Sequence, residues 1–399
     1  MTALPAAGAR RSIWLWAAAW FAAACIAILI FWLDLERTDW AGDLSIAHQA
    51  LWGRDFVNVY TSGSLVLNDR LDILYDIEAY RAYQLELFDQ GLKHHNYSYP
   101  PVTLLYTWLL ALPPYPAALA LWLGGTGAFF VWAARPYLRG AGLPAWVAIL
   151  APASIVNAWA GHYGFLIGGL WLAAFHFLPR RPVLAGILIG CMIVKPHLAI
   201  LAPIVLLYRR EWRAFAAAAC TVILLSGLSI LFFGPDLWTI YLTETAMVQA
   251  AMVDDVRTFF IRMMPTIMPS LALAGAGAAV SAAVQVVVAL SAIGLLLWRM
   301  PKDSEEAGLA TATATFLVLP YAFNYDMTVA GLAGLLVLQR SRSGGSIAFT
   351  LAAAFAFLVP MSVMYFGLVD IPVGPPALIF QLLALLGLIA PPAAAPARK

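Results

Sequence analysis

Charge is the property that this sequence has least of. Only 11% of its 399 residues are charged, against about 25% in an ordinary soluble domain, while 63% are hydrophobic and the mean hydropathy is +0.83. This composition excludes a string of soluble domains, although the length alone would suit two or three. The apolar residues form blocks of about 20 residues between short polar stretches, which is typical of a multi-span α-helical membrane protein.

Cysteine is also scarce. Cys25, Cys191 and Cys220 all lie in apolar blocks, which excludes a disulfide framework and a cysteine metal site. The sequence has no glycine-rich phosphate-binding motif and no His, Cys and Asp cluster with zinc spacing. Its basic residues form pairs beside apolar blocks rather than a nucleic-acid surface. We therefore expect no metal, no cofactor and no nucleic-acid partner.

The few charges are unevenly distributed along the chain. Lys and Arg concentrate in cytoplasmic loops, so the basic pairs beside the apolar blocks are assigned to the inside. Residues 34–100 hold 11 of the 21 acidic residues and only 5 of the 23 basic ones, which predicts an external loop. The preceding block, Ile13–Leu33, is too long for the apolar region of a signal peptide and predicts a retained anchor with a cytoplasmic N-terminus.

These patterns predict an all-α polytopic membrane protein, formed as one integral membrane domain over residues 1–399. We expect about 10–13 transmembrane or half-membrane helices, given about 20 residues per full crossing. The external loop 34–100 should carry short interfacial helices, and residues 234–264 should form a second external interfacial segment. Leu143–Val156 is predicted as one span.

The segment Val183–Tyr208 admits two interpretations. It is long enough to cross a membrane, but Lys195-Pro196-His197 stands at its centre and arginine clusters flank both ends. The favoured interpretation is two half-length helices with Lys195 and His197 at an outward-facing apex, since broken helices at membrane depth line polar cavities. The alternative is one continuous kinked span.

Polar residues that are rare in apolar chains collect on the predicted outer face. Ionisable groups near membrane depth are costly, so each is a candidate functional residue. In the first loop, carboxylates stand beside aromatic residues, as in sugar-binding sites, although acids that simply face water would give the same pattern. The candidates on this face are Asp43, Asp55, Tyr60, Tyr99, His162, Lys195, His197, Arg257, Arg262, Tyr321, Asn324 and Asp326.

Four segments carry a resemblance to a known family. In chain order they are Asp55-Phe-Val-Asn-Val-Tyr60 with Leu74-Tyr75-Asp76; Tyr97-Ser-Tyr-Pro-Pro-Val-Thr-Leu-Leu; Arg181-Pro-Val-Leu-Ala-Gly-Ile-Leu-Ile-Gly with Lys195-Pro196 and Arg209-Arg-Glu-Trp-Arg213; and Pro320-Tyr-Ala-Phe-Asn-Tyr-Asp326. Their order and spacing resemble those of GT-C-type membrane glycosyltransferases, in particular the bacterial polyprenol-phosphate-mannose-dependent α-mannosyltransferases of glycosyltransferase family 87.

The resemblance implies transfer of mannose from a polyprenyl-phosphate donor to a glycolipid or cell-envelope glycan, with inversion. Asp55 matches the position of the family's base, and a single displacement needs one such carboxylate. Basic residues must hold the charge that grows on the phosphate. The candidates for this role are Lys195, His197, Arg257 and Arg262. The candidates for contact with the sugar or the acceptor are Asp43, Tyr60, Tyr99, His162, Tyr321, Asn324 and Asp326.

The chain departs from the family pattern at sugar-facing positions. His162 stands where the family commonly has Gln, and Tyr321 and Phe323 replace a common His and Trp. Another pyranose or a pentofuranose therefore stays open as the sugar. The implied location is the bacterial inner membrane, with the active site on the periplasmic or extracellular side among membrane lipids. A transporter or flippase of lipid-linked sugars is the alternative function, and an inactive assembly subunit also stays open.

Overall fold

Helices make up almost all of the regular structure. The computed structural model describes residues 7–40, 45–47, 49–88, 91–93, 95–245, 259–342 and 346–389. Within these residues the strands are one antiparallel pair, β1 (Ser45–Ile46) and β2 (Ala50–Leu51), with Ser45 opposite Leu51. The all-α prediction is confirmed.

Five helices are long and apolar enough to cross a membrane: Ile13–Glu36, Tyr115–Gly140, Trp212–Phe233, Ala278–Trp298 and Ile347–Gly367. Seven shorter apolar helices of 10–17 residues accompany them in the described part of the chain. A full crossing needs about 20 residues, so the shorter ones are half-membrane or buried elements. The chain is therefore a polytopic membrane protein, as predicted.

The α-helices are α1 Ala7–Glu36, α2 Phe56–Leu67, α3 Ile77–Leu87, α4 Leu104–Leu110, α5 Tyr115–Gly140, α6 Val147–Leu150, α7 Pro152–Ala160, α8 Gly164–Phe177, α9 Pro182–Gly190, α10 Ala202–Tyr208, α11 Trp212–Phe233, α12 Asp236–Ile240, α13 Ile267–Leu273, α14 Ala278–Trp298, α15 Ser304–Val318, α16 Thr328–Ser341, α17 Ile347–Gly367 and α18 Gly374–Leu385. The 3-10 helices are Leu71–Ile73, Pro101–Thr103, Cys191–Val194, Pro196–Ala199, Phe260–Met263 and Asn324–Asp326, and a π-helix covers Tyr241–Thr245.

The single span predicted for Leu143–Val156 is wrong. The structure has two short helices there, α6 and α7, separated at Ala151, whose φ is −63° and ψ 145°. The cause is Pro152, because proline lacks the N–H that a continuous helix needs and disfavours the helical conformation of the preceding residue. The polar loop that carries His162 therefore follows the short helix α7 rather than a full span.

The chain divides into two compact units. The loop unit comprises Ile28–Phe130 and Asn157–Asp254, and the terminal unit comprises Met1–Ala27, Val131–Val156 and Asp255–Lys399. In the terminal unit, buried glutamines join helices. The Gln381 amide nitrogen donates to Thr313 Oγ1 and to the Ala330 carbonyl oxygen, both at 2.8 Å. Such hydrogen bonds commonly hold membrane helices together, because the hydrophobic effect does not drive the association of helices inside a lipid bilayer.

In the loop unit, α2 is buried along most of its length and packs against α4. A Cβ added to Gly63 of α2 would overlap the Thr107 carbonyl oxygen, so glycine permits this close approach. The short helices of the first loop therefore include a buried one, α2.

The segment 182–208 is a hairpin. Gly186 of α9 lies against Ala214 of α11, and Gly190 lies against Ala218 and Thr221. The two helices therefore run parallel, and their N-terminal ends lie side by side. Because α10 lies between α9 and α11 in the chain, it must run back toward the N-terminal end of α9 before α11 begins. This arrangement excludes the continuous kinked span and puts Lys195 at the apex, between 3-10 helices Cys191–Val194 and Pro196–Ala199.

Candidate active site

Asp55 lies where two distant loops meet. Its backbone N–H donates to the Ala160 carbonyl oxygen at 3.0 Å. Gly53 and Gly161 both have positive φ, of 79° and 64°, and a Cβ on Gly161 would overlap the Gly53 carbonyl oxygen. Glycine is therefore required at 161 by conformation and by space. The contact fixes Asp55, at the start of α2, against the loop that carries His162.

A partly buried ion pair holds Arg54, the residue next to Asp55. The Arg54 guanidinium forms a two-pronged pair with the Asp34 carboxylate, with both N···O distances 2.8 Å. Arg54 also stacks on the Trp159 ring at 3.9 Å, and the Trp159 indole N–H donates to Asp34 Oδ2 at 2.9 Å. Bidentate arginine–carboxylate geometry is directional, so this cluster orients the turn that precedes Asp55.

The Asp55 carboxylate does not cap its own helix. An aspartate before a helix usually accepts from the N–H groups of the first turn, but no such side-chain bond forms at α2. Instead, Asp55 Oδ1 lies 3.7 Å from Nδ1 of His95, and the two side chains are 23% and 12% exposed. The carboxylate is thus accessible to a reactant and has an imidazole beside it.

Asn58 links the segment that carries His95 to α2. Its amide nitrogen donates to the Asn96 carbonyl oxygen at 3.3 Å. Its amide oxygen accepts from the Tyr80 hydroxyl at 3.2 Å and from the Gln84 amide at 3.3 Å. Asn58 lies one turn after Asp55, so the aspartate and the imidazole are positioned from a common framework.

Lys195 and His162 meet inside the loop unit. Lys195 is 6% exposed, and its ammonium group donates to His162 Nδ1 at 3.4 Å. The Tyr163 N–H donates to the same nitrogen at 2.8 Å. Because Nδ1 accepts, the proton of a neutral ring is on Nε2, which donates to the Tyr99 hydroxyl oxygen at 2.8 Å. Burial, and then Lys195 and His197, hold the pKa of His162 well below its usual value, which keeps the ring neutral.

The tyrosines predicted to contact sugar have structural partners. The Tyr60 hydroxyl donates to the Pro113 carbonyl oxygen at 3.3 Å, and its ring packs edge-on against Tyr115. Tyr99 is buried, and its carbonyl oxygen accepts from the Tyr75 hydroxyl at 2.7 Å. His197 is half-buried in the 3-10 helix that follows Lys195.

Four of the remaining predicted residues belong to the terminal unit. Asn324 and Asp326 are buried in the terminal unit, where the Asn324 amide donates to the Pro360 carbonyl oxygen at 2.9 Å. Arg262 of the same unit pairs with Asp370 at 3.7 Å. Tyr321 lies there between α15 and the 3-10 helix Asn324–Asp326. Asp43 and Arg257 lie outside the described residues.

The structure thus brings together Tyr99, His162 and Lys195, and holds the loop of Asp55 against the loop of His162. Sequence reasoning missed His95 and the Arg54–Asp34 pair, which no local spacing signals. Among the described residues, no group of three or more His, Cys, Asp or Glu side chains is arranged to hold a metal ion. The chemistry available to this group is that of one accessible carboxylate and one buried ammonium.

Comparison with known protein families gives a match over the middle of the chain. The sequence model described as glycosyltransferase family 87 matches residues 97–320, from the first-loop tyrosines to the start of the late Pro-Tyr motif. Asp55 precedes the matched residues. No curated protein and no solved structure matches the chain. Because the match covers more than half of the sequence and includes Tyr99, His162 and Lys195, the chain belongs to glycosyltransferase family 87.

Proposed function

We propose that this glycosyltransferase moves mannose from a polyprenyl-phosphate donor to a glycolipid or cell-envelope glycan. The proposal includes a site on the outer face of the bacterial inner membrane, with the N-terminus in the cytoplasm. The observation that supports it is the Asp55 carboxylate, which is partly exposed and is not used as a helix cap. The backbone of Asp55 is also bonded to Ala160, next to the loop that carries His162, and His162 contacts Lys195.

The reaction proceeds in one displacement. Asp55 removes the proton of the acceptor hydroxyl while that oxygen attacks the anomeric carbon from the face opposite the phosphate. The bond between the anomeric carbon and the phosphate oxygen breaks, and its electron pair leaves with the polyprenyl phosphate. Lys195 offsets the negative charge that develops there. The configuration inverts, so a β-linked donor yields an α-linked product.

A transfer assay with the full chain in lipid nanodiscs tests this function. The substrates are polyprenyl-phosphate mannose, labelled in the sugar, and octyl α-mannoside as the acceptor probe. We expect a disaccharide whose new linkage has the inverted anomeric configuration by NMR. If no lipid-phosphate sugar gives transfer, and the protein instead moves the labelled donor across liposome membranes, the chain is a transporter.

Replacement of Lys195 by methionine is expected to raise the donor KM, or to lower turnover, by at least about tenfold. Methionine keeps most of the length of the side chain but removes the charge that offsets the leaving phosphate, and hydrogen bonds to charged groups contribute about 1.5–3 kcal/mol. The measurement is donor-dependent kinetics in nanodiscs. Lys93→Met, an exposed lysine of the same loop unit, is the control. Unchanged donor kinetics in Lys195→Met would exclude the phosphate role.

Replacement of His95 by alanine is expected to lower kcat about tenfold, with little change in either KM. In the proposed mechanism the imidazole, whose Nδ1 lies 3.7 Å from one carboxylate oxygen of Asp55, orients that oxygen and leaves the other toward the acceptor. His95→Asn should recover most of the rate, since its amide nitrogen occupies nearly the position of Nδ1. Equal kcat in the alanine and wild-type proteins would contradict this positioning role, as would equal losses in the alanine and asparagine variants.

A further inference from the structure

A narrow cleft in the loop unit lies between the first-loop tyrosines and the π-helix Tyr241–Thr245. Aliphatic side chains form part of its wall, and the other lining residues are Tyr75, Tyr80, Asn96, Tyr97, Glu244 and Thr245. It has about 60 Å³ of space for the centres of water-sized groups. One water needs about 10–15 Å³ on that measure, so the cleft holds several hydroxyl-sized groups, about one edge of a monosaccharide.

The hydroxyls of the three tyrosines that line this cleft are all engaged in hydrogen bonds within the protein. The Tyr75 hydroxyl donates to the Tyr99 carbonyl oxygen, the Tyr80 hydroxyl donates to Asn58 Oδ1, and the Tyr97 hydroxyl bonds to Thr103 Oγ1. Their rings pack against one another at centroid distances of 5.7 and 6.0 Å. With their polar tips engaged, these side chains form a rigid aromatic wall, in which Tyr80 and Tyr97 are only 1% and 4% exposed and the half-buried Tyr75 is the accessible ring. An aromatic ring of this kind can stack on the apolar face of a sugar.

Polar groups in the cleft match a ligand rich in hydroxyls. Asn96 Oδ1 is buried and has no hydrogen-bond partner among the described groups, and a buried acceptor left unpaired is costly. Glu244 adds a second acceptor, on an exposed side chain. None of the described lining residues is Lys, Arg or His, and the Glu244 carboxylate repels anions. The cleft therefore suits a neutral sugar and disfavours the donor phosphate.

The position of the cleft connects it with the base. Asn96 follows His95 in the chain, and His95 contacts Asp55 at 3.7 Å. The Asn96 carbonyl oxygen is bonded to Asn58, one turn after Asp55. In a displacement, the base must reach the hydroxyl of the acceptor, so the acceptor lies on the side of Asp55 whereas the leaving phosphate lies toward a cation.

We propose that this cleft is the acceptor subsite, in which Asn96 and Glu244 accept hydrogen bonds from hydroxyls of the acceptor's terminal sugar and the Tyr75 ring covers its apolar face. The inference rests on the proposed transfer function. It assigns a binding role to Asn96, Glu244 and the π-helix, none of which is among the site residues predicted from the sequence. π-Helical turns are rare and recur at functional sites.

Acceptor kinetics test the proposal with the full chain in nanodiscs, at saturating polyprenyl-phosphate mannose and varied octyl α-mannoside. In Asn96→Ala and in Glu244→Gln we expect the acceptor KM to rise about three- to tenfold, with kcat and donor KM within about twofold of wild type. Glu86→Gln changes an exposed glutamate of α3 and should leave all three constants unchanged. Acceptor KM values unchanged in both variants would overturn the proposal, as would an equal rise of donor KM.

A second measurement separates this proposal from the transfer function. Octyl mannoside bearing a diazirine labels its binding site on irradiation without any turnover, and mass spectrometry locates the label. Labelling at residues 74–97 or 241–245 that decreases in Asn96→Ala supports the subsite, and labelling elsewhere overturns it. If the wild-type protein transfers nothing, the transfer function fails while the labelling result still decides whether the cleft binds a saccharide.

Discussion

Replacement of Asp55 by asparagine is expected to lower the transfer rate by about 10²–10⁴-fold, the usual contribution of a general base. Asparagine has the same shape but cannot accept the acceptor proton. The fold should be unaffected, because the Asp55 side chain caps no helix N–H and its backbone bond to Ala160 does not involve the carboxylate. The measurement is the initial rate with polyprenyl-phosphate mannose, together with the thermal unfolding midpoint in nanodiscs.

Asp76→Asn is the matched control for this variant. Asp76 also stands in the first loop directly before a helix, but its carboxylate caps α3 by accepting from the backbone N–H groups of Glu78 and Ala79. Asparagine caps helices as well as aspartate does, so the control should keep both rate and stability. Transfer at the wild-type rate by Asp55→Asn would remove Asp55 as the base.

Replacement of Gly161 by alanine is expected to lower the free energy of unfolding by about 2–5 kcal/mol and to abolish transfer. A residue with a Cβ pays about 1–2 kcal/mol in the left-handed region, where Gly161 has a φ of 64°, and overpacking adds about 1–3 kcal/mol. The added methyl would overlap the Gly53 carbonyl oxygen and push away the turn that carries Asp55.

The unfolding midpoint and the transfer rate of Gly161→Ala check this expectation, with Gly125→Ala as the control. Gly125 lies inside α5 and nothing lies within 4 Å of a Cβ built there. Alanine is the better helix former by about 0.5–1 kcal/mol, so the control should be as stable as the wild type or slightly more stable. A Gly161→Ala protein as stable and active as Gly125→Ala would contradict the close contact between the two loops.

Local chemistry accounts for what the sequence could predict. Pro196 at the centre of the segment disfavours a continuous helix, and the arginines at both ends indicate that those ends share a side, so the hairpin is predictable. Length and hydropathy predict the long helices. The division at Ala151 is equally local, since Pro152 marks it in the sequence, but the high hydropathy of Leu143–Val156 favours a single span and obscures it.

Other parts of the site depend on contacts between distant residues. The Gly53–Gly161 contact joins two loops that several helices separate in the sequence. Arg54 binds Asp34, which stands 20 residues earlier in the chain. His95 follows a run of polar residues without periodicity, so nothing in its neighbourhood distinguishes it from a solvated histidine. Such contacts are set by tertiary packing, which composition and local pattern do not specify.

The glycine contacts of the hairpin have a consequence for biosynthesis. Gly186 and Gly190 pack against α11, which is translated after the hairpin. While a nascent chain ends before Trp212, Gly186 and Gly190 have no α11 to pack against, although α8 and His162, which contacts Lys195, are already made. The helix that leads to Lys195 therefore reaches its final packing only after α11 has been inserted.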